Sequence, residues 1–124
     1  MYWARVETEF AAAHFLASYK GKCENLHGHN YTVLLYTRGD KLDESGMLID
    51  FSVLKKILTD VCILLDHTNL NKIAEFNNNP SAERIAKYIF DKTKEKLINF
   101  GVDIKLLHAV EVFESRTSMA RYQE

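Results

Sequence analysis

The sequence predicts an α+β domain built on an antiparallel sheet, and three observations carry that prediction. Apolar and polar residues alternate near both ends of the chain, two helical stripes fill the middle, and turn residues separate them. In residues 6–14, Val6, Thr8, Phe10, Ala12 and His14 fall on one side of an extended chain. A loop at residues 18–24 follows, marked by Gly21 and flanking lysines. Residues 27–37 then supply a second strand rich in Tyr, Thr, Val and Leu. Gly39-Asp40 and Asp43-Glu44-Ser45-Gly46 predict turns. Phe51, Leu54, Leu58, Val61 and Leu65 form a helical stripe, with Asp50 or Ser52 available as its cap. Residues 66–79 contain five asparagines and read as one long loop, a kind of segment that is often functional. A second helix starts near Pro80-Ser81 and runs to about Asn99, burying Ile85, Ile89, Phe90 and Leu97 and stopping at Gly101. The last long strand covers residues 102–114, with Val102, Ile104, Leu106, His108, Val110, Val112 and Glu114 sharing one face. The predicted order is β-β-α-α-β, with further short strands near Leu48 and the C-terminus.

A chain of 124 residues fits one domain, residues 1–124, and 47% hydrophobic with 27% charged residues excludes disorder and a disulfide-dense scaffold. A net charge of -1 lacks the basic footprint of a nucleic-acid binder, so no nucleic-acid partner is expected. No apolar run approaches the roughly 20 residues of a membrane span, and the charged start does not read as a signal peptide, so no membrane association is expected. Two cysteines, Cys23 and Cys62, read as reduced thiols, which points to a cytoplasmic protein.

The chemistry concentrates in Cys23-Glu24-Asn25-Leu26-His27-Gly28-His29. Two histidines two apart on a strand project from the same face and make half a metal site, with His14 the candidate third ligand. On spacing alone, metal binding and chance or core packing both remain open. Cys23 sits in a polar segment where a nearby cation would favour its thiolate. Cys62, beside the first helical stripe, reads as core. Asp66-His67 pairs a carboxylate with an imidazole, but neighbours in an extended chain point oppositely, so the pair acts together only if the loop bends. Glu114 ends an apolar face and is either solvated or an anchor for a ligand with adjacent N–H groups.

Taken together, the motifs resemble the 6-pyruvoyl-tetrahydropterin synthase family, including its 6-carboxy-tetrahydropterin synthase branch. They are Phe10-Ala11-Ala12-Ala13-His14, CENLHGHNY from Cys23 to Tyr31, Gly46-Met47-Leu48-Ile49-Asp50-Phe51, Leu65-Asp66-His67-Thr68-Asn69-Leu70-Asn71, Asn79-Pro80-Ser81-Ala82-Glu83, and Phe113-Glu114-Ser115 with Tyr122. They lie in the family's order over nearly the whole chain. The resemblance implies the tunnelling fold, an antiparallel sheet with two helices on one face that assembles into an oligomeric barrel, usually a homohexamer made of two trimers. It implies Zn2+ bound by His14, His27 and His29, Cys23 as catalytic base, Asp66 and His67 as a proton relay, and Glu114 as the pterin anchor. Asp66 and His67 would complete a neighbouring subunit's site.

The implied substrate is 7,8-dihydroneopterin triphosphate, a small-molecule partner. The implied products are 6-carboxy-tetrahydropterin, acetaldehyde and triphosphate, on the route to queuosine-type deazapurines. The short Cys-x-x-x-His-Gly-His spacing resembles the carboxy branch, whereas simple elimination would give the 6-pyruvoyl product. Glu24 extends the motif to Cys-Glu-x-x-His-Gly-His, which resembles a bifunctional branch that also forms a 6-hydroxymethyl pterin for folate; the other reading of Glu24 is a solvated loop residue. Ser81, a further candidate for substrate contact, stands where the family often has threonine. A pterin-binding member without turnover is the non-enzymatic alternative.

Overall fold

The computed structural model describes residues 1–21 and 24–124. Two long strands, β1 (Tyr2–His14) and β2 (His27–Gly39), pair antiparallel from Tyr2 opposite Gly39 to His14 opposite His27. Helix α1 (Phe51–Cys62) follows, then the two-residue strand β3 (Thr68–Asn69), helix α2 (Ala82–Asn99), and strands β4 (Leu107–Ser115) and β5 (Ser118–Gln123). The sheet order is β3-β1-β2-β4-β5, antiparallel except where β3 joins β1. Both helices lie on one face, α1 over β1 and α2 over β4 and β5.

That face is apolar because the strand periods place Val6, Phe10 and Ala12 of β1, Tyr31, Val33 and Leu35 of β2, and Val110 and Val112 of β4 on it. Leu54, Leu58, Val61, Ile85, Ile89 and Phe90 of the helices close over them, each of these side chains gaining about 1.5–3 kcal/mol from full burial. Asp50, not Ser52, caps α1, its Oδ1 accepting from the Ser52 amide at 2.8 Å. Gly101 ends α2 as expected. At φ 73° it allows its own amide to reach the Ile98 carbonyl and the Val102 amide to reach that of Leu97. Among the described residues no helix is long and apolar enough to cross a membrane.

Several expectations need correction. Phe51 is exposed, and Ile57 joins the buried stripe of α1 instead. No strand forms at residues 47–49. Residues 66–79 are not one loop: β3 and two single-turn 3-10 helices, Leu70–Lys72 and Ala74–Phe76, break them up. Asn77 and Asn78 take left-handed conformations there, which asparagine tolerates better than most residues. The last long strand begins at Leu107, because Asp103 caps a 3-10 turn at Ile104–Leu106. Its predicted face is also broken. Thr37 pairs with Leu107 and Tyr36 with Ala109, so His108 is an extra residue, a β-bulge. Its ring packs edge-on against Trp3, 4.7 Å away, on the face turned from the helices.

Candidate metal centre and active site

The cluster at the end of β1 and β2 follows from register. His14 lies opposite His27, and His29 lies opposite Ala12, so all three imidazoles leave the sheet on the helix-covered face. The ring centroids form a nearly even triangle of 4.6, 5.1 and 4.8 Å, and the candidate ligand atoms lie within 4.8 Å of one another.

Two main-chain carbonyls fix the ring states. His14 Nδ1 lies 2.8 Å from the carbonyl oxygen of Pro80, and His27 Nδ1 lies 2.6 Å from that of Asn25. A carbonyl can only accept, so in each ring Nδ1 carries a proton, and the neutral form of that tautomer leaves Nε2 as the nitrogen that could ligate. The Nε2 atoms of His14 and His29 are buried and have no hydrogen-bond partner. Buried polar atoms are almost always paired, so converging unpartnered nitrogens fit a borderline-soft cation such as zinc, which takes three imidazoles readily. Burial pushes the pKa of His29 down, against the pull of the Glu114 carboxylate and with help from the neighbouring His14 and His27. Burial therefore favours the neutral ring that ligation needs.

Glu114 lies beside this cluster, at a second bulge. Phe113 pairs with Met119 and Ser115 with Ser118, which leaves Glu114 unpaired, with its carboxylate 3.7 Å from His14 Nε2. The sequence alone left Glu114 open between solvent and anchor; on the face it shares with Val110 and Val112, its carboxylate lies beside the histidines. Tyr31 lies beneath them on the same face, fully buried, stacked on Phe10 and with its hydroxyl unpartnered.

Asp66 and His67 are in contact, because the chain bends as required. His67 sits at φ 55°, in the left-handed region, and its Nδ1 lies 2.9 Å from Asp66 Oδ2. The other carboxylate oxygen accepts from the Ala11 amide at 2.9 Å, and the His67 amide donates back to the Ala11 carbonyl. That hydrogen bond from Ala11 is the main reason the Asp66 carboxyl titrates below its ordinary range, with the His67 ring adding to it. The His67 side chain is 83% exposed and lines a groove of about 480 Å³ with Ala11, Ala12, Ala13, Gly28, His29 and Asn30, of which Ala11, Ala13, Gly28 and Asn30 alternate away from the helices. In one chain, then, the Asp66-His67 pair and the histidine triangle lie on opposite faces of the sheet.

Ser81 caps α2, its Oγ accepting from the Arg84 amide at 3.3 Å. Glu24 is exposed, and Cys23 lies outside the described residues. Cys62 is buried as expected. Sequence reasoning missed the Pro80 carbonyl, which no side-chain motif can signal, and it gave no role to Asn71, although that residue closes the motif Leu65 to Asn71 and lies in an asparagine-rich segment.

Fold and site together define a tunnelling-fold protein with three imidazoles converging at the end of its two longest strands. The family profile for 6-pyruvoyl tetrahydropterin synthase matches residues 4–124, and the chain belongs to that family. It is 42% identical over 121 residues to a 6-carboxy-5,6,7,8-tetrahydropterin synthase of Synechocystis, covering 94% of this chain and 88% of the other. The structure of Caenorhabditis elegans 6-pyruvoyl tetrahydropterin synthase superposes with a TM-score of 0.86 at 30% identity, over 99% of this chain and 95% of that one. A Plasmodium vivax 6-pyruvoyltetrahydropterin synthase, solved as a variant in which a catalytic glutamate is replaced, gives a TM-score of 0.76 at 26% identity, over 100% and 99%.

Proposed function

We propose that the chain, acting as a single domain over residues 1–124, is a zinc-dependent 6-carboxy-5,6,7,8-tetrahydropterin synthase. In this reading, 7,8-dihydroneopterin triphosphate and water give 6-carboxy-tetrahydropterin, acetaldehyde and triphosphate. The observation that carries the reading is the triangle of His14, His27 and His29, whose His14 and His29 Nε2 atoms are buried and unpartnered, with Glu114 beside it. The 42% identity to a Synechocystis protein of that name supports the carboxy branch.

The three imidazoles would hold the metal, which when bound supplies Lewis acidity to the side-chain hydroxyls of the substrate. Glu114 accepts from adjacent N–H groups of the pterin and orients the ring. Cys23 takes the proton from the side-chain carbon next to the ring. His67, aligned by Asp66, takes the proton of the second hydroxyl. Oxidation of the side chain reduces the ring by internal transfer and returns the proton to it. Triphosphate leaves the end of the side chain, and addition of water with cleavage of the carbon–carbon bond releases acetaldehyde. Because His67 faces away from its own chain's triangle, we assign the relay to a neighbouring copy's site, within a homohexamer of two trimers. A cytoplasmic location fits reduced thiols at Cys23 and Cys62.

Glu24 favours a second activity, release of a 6-hydroxymethyl pterin. It lies three residues before His27 and is exposed, and the Plasmodium vivax relative is described as having a catalytic glutamate.

Product identification by mass spectrometry tests both readings, using zinc-loaded protein with 7,8-dihydroneopterin triphosphate and, separately, with dihydroneopterin. Acetaldehyde with the 6-carboxy product is the expected result from the first substrate. A 6-hydroxymethyl product that disappears in Glu24→Ala establishes the second activity. A 6-pyruvoyl product overturns the carboxy reading, and intact zinc-loaded protein without turnover leaves a pterin-binding protein only.

A further inference from the structure

We propose that Asn71 is a positioning residue for the three-histidine site, acting on His14 through the main chain of Phe15; the proposal rests on the reading that these histidines bind a metal. β1 ends at His14, whose partner His27 is the last rung of the β1–β2 ladder. The chain beyond has to be held by something else if the His14 ring is to keep its place. Asn71 does this with its side-chain amide. Its Oδ1 accepts from the Phe15 amide at 2.8 Å, and its Nδ2 donates to the Phe15 carbonyl at 2.8 Å.

The pattern continues a ladder. Asp66 and His67 bond to Ala11, Thr68 and Asn69 pair in parallel with Ala12 and Ala13, and the Asn71 amide supplies the next rung at Phe15. Asn71 is itself held on its far side. Its amide nitrogen donates to Asn69 Oδ1 at 3.1 Å, and its Nδ2 also reaches the carbonyl and Oδ1 of Asn78 at 3.2 and 3.0 Å. One residue further on, Asn79 Oδ1 accepts from the Ser18 amide at 3.1 Å, and next comes Pro80, whose carbonyl orients the His14 ring. A single segment therefore fixes both the backbone that follows His14 and the ring of His14. A carboxamide suits this place because one planar group has to accept from an amide and donate to a carbonyl of the same residue. An aspartate of equal size would set an oxygen against the Phe15 and Asn78 carbonyls.

The test uses full-length, chelator-treated protein and Co2+ alone as the probe. Affinity and the visible absorption spectrum are measured where far-UV circular dichroism shows the variant folded. Asn71→Ala is expected to weaken Co2+ binding by about 10- to 100-fold, the range for groups that orient metal ligands, and to shift the ligand-field bands. Leu97→Ala, which opens a cavity in the buried side of α2, serves as the comparison: it lowers stability and leaves affinity and spectrum at wild-type values. Should Asn71→Ala fail to fold, Asn71→Asp is read in the same way. Wild-type affinity and spectrum in the folded Asn71 variant, or an equal loss in Leu97→Ala, overturns the positioning role while leaving the metal reading intact. Failure of the wild type to bind Co2+ overturns both.

Discussion

His14 is held by the carbonyl oxygen of Pro80, 66 residues further along the chain, with Nδ1 and that oxygen 2.8 Å apart. The contact ties the end of β1 to the entrance of α2 and sets which nitrogen of His14 is free to bind. His14→Ala removes one of the three proposed ligands and also leaves a buried carbonyl unpaired. We expect metal affinity to fall by at least about 100-fold, more than for an orienting group. Elemental analysis after dialysis is expected to show close to one zinc per chain in the wild type and almost none in the variant. Full metal content in His14→Ala would remove His14 from the ligand set.

Because the Asp66-His67 pair and the histidine triangle occupy opposite faces of the sheet, two different inactive variants are expected to rescue each other. His14→Ala and His67→Ala, each inactive alone, should regain activity when unfolded together and refolded as a mixture, since some mixed sites then contain both intact parts. Equal mixing gives roughly a quarter of the sites an intact pair if assembly is random. No recovery from mixed oligomers, verified by mass, would mean that one chain supplies both groups.

The strands and helices were legible wherever one period ran unbroken. β1, β2 and the buried residues of α2 follow from alternation and from the 3.6-residue stripe. What escaped is a set of single-residue events. The bulge at His108 turns its ring toward Trp3, and no composition signal distinguishes it from the regular strand around it. Phe51 fits the helical stripe but sits in the first turn of α1, where the core no longer reaches it. The histidine triangle could be outlined from spacing because strand pairing converts sequence distance directly into position. Asn71 and the Pro80 carbonyl could not, since their partners at Phe15 and His14 depend on how a compact, turn-rich segment closes over β1.

The pH response of the metal-free protein should report on His29. Its folded pKa lies below the ordinary 6.5, chiefly because burial disfavours the charged ring. Above pH 6.5 both folded and unfolded chains hold it neutral, and its stabilising contribution is fully present. As pH falls below 6.5 the unfolded chain takes up the proton first, so stability declines until the folded pKa has also been passed. Denaturant unfolding of chelated protein at pH 7.5 and 5.5 is expected to show lower stability at the acid end, and a smaller difference in His29→Gln. An unchanged difference in that variant would place the acid sensitivity elsewhere.

The two thiols should differ sharply in reactivity, and that difference tests the assignment of the base. Cys62 is buried in α1, where burial, reinforced by the Asp66 carboxylate, pushes its thiol pKa up to about 12. At pH 8 only about one Cys62 in ten thousand is then a thiolate, the form that reacts with alkylating agents. Cys23 belongs to a polar segment with Lys20, Lys22 and Glu24, and a base that works near neutral pH has to reach its thiolate there. Brief iodoacetamide treatment of native protein at pH 8 is expected to label Cys23 alone, and treatment in guanidinium chloride to label both, as read by peptide mass mapping. Modification of Cys23 should abolish turnover while the zinc content stays unchanged, and Cys23→Ala should cut kcat by about 100-fold or more for the same reason. Labelling of Cys62 in native protein at a comparable rate would contradict its burial. Full activity after stoichiometric labelling of Cys23 would require another group to take the proton.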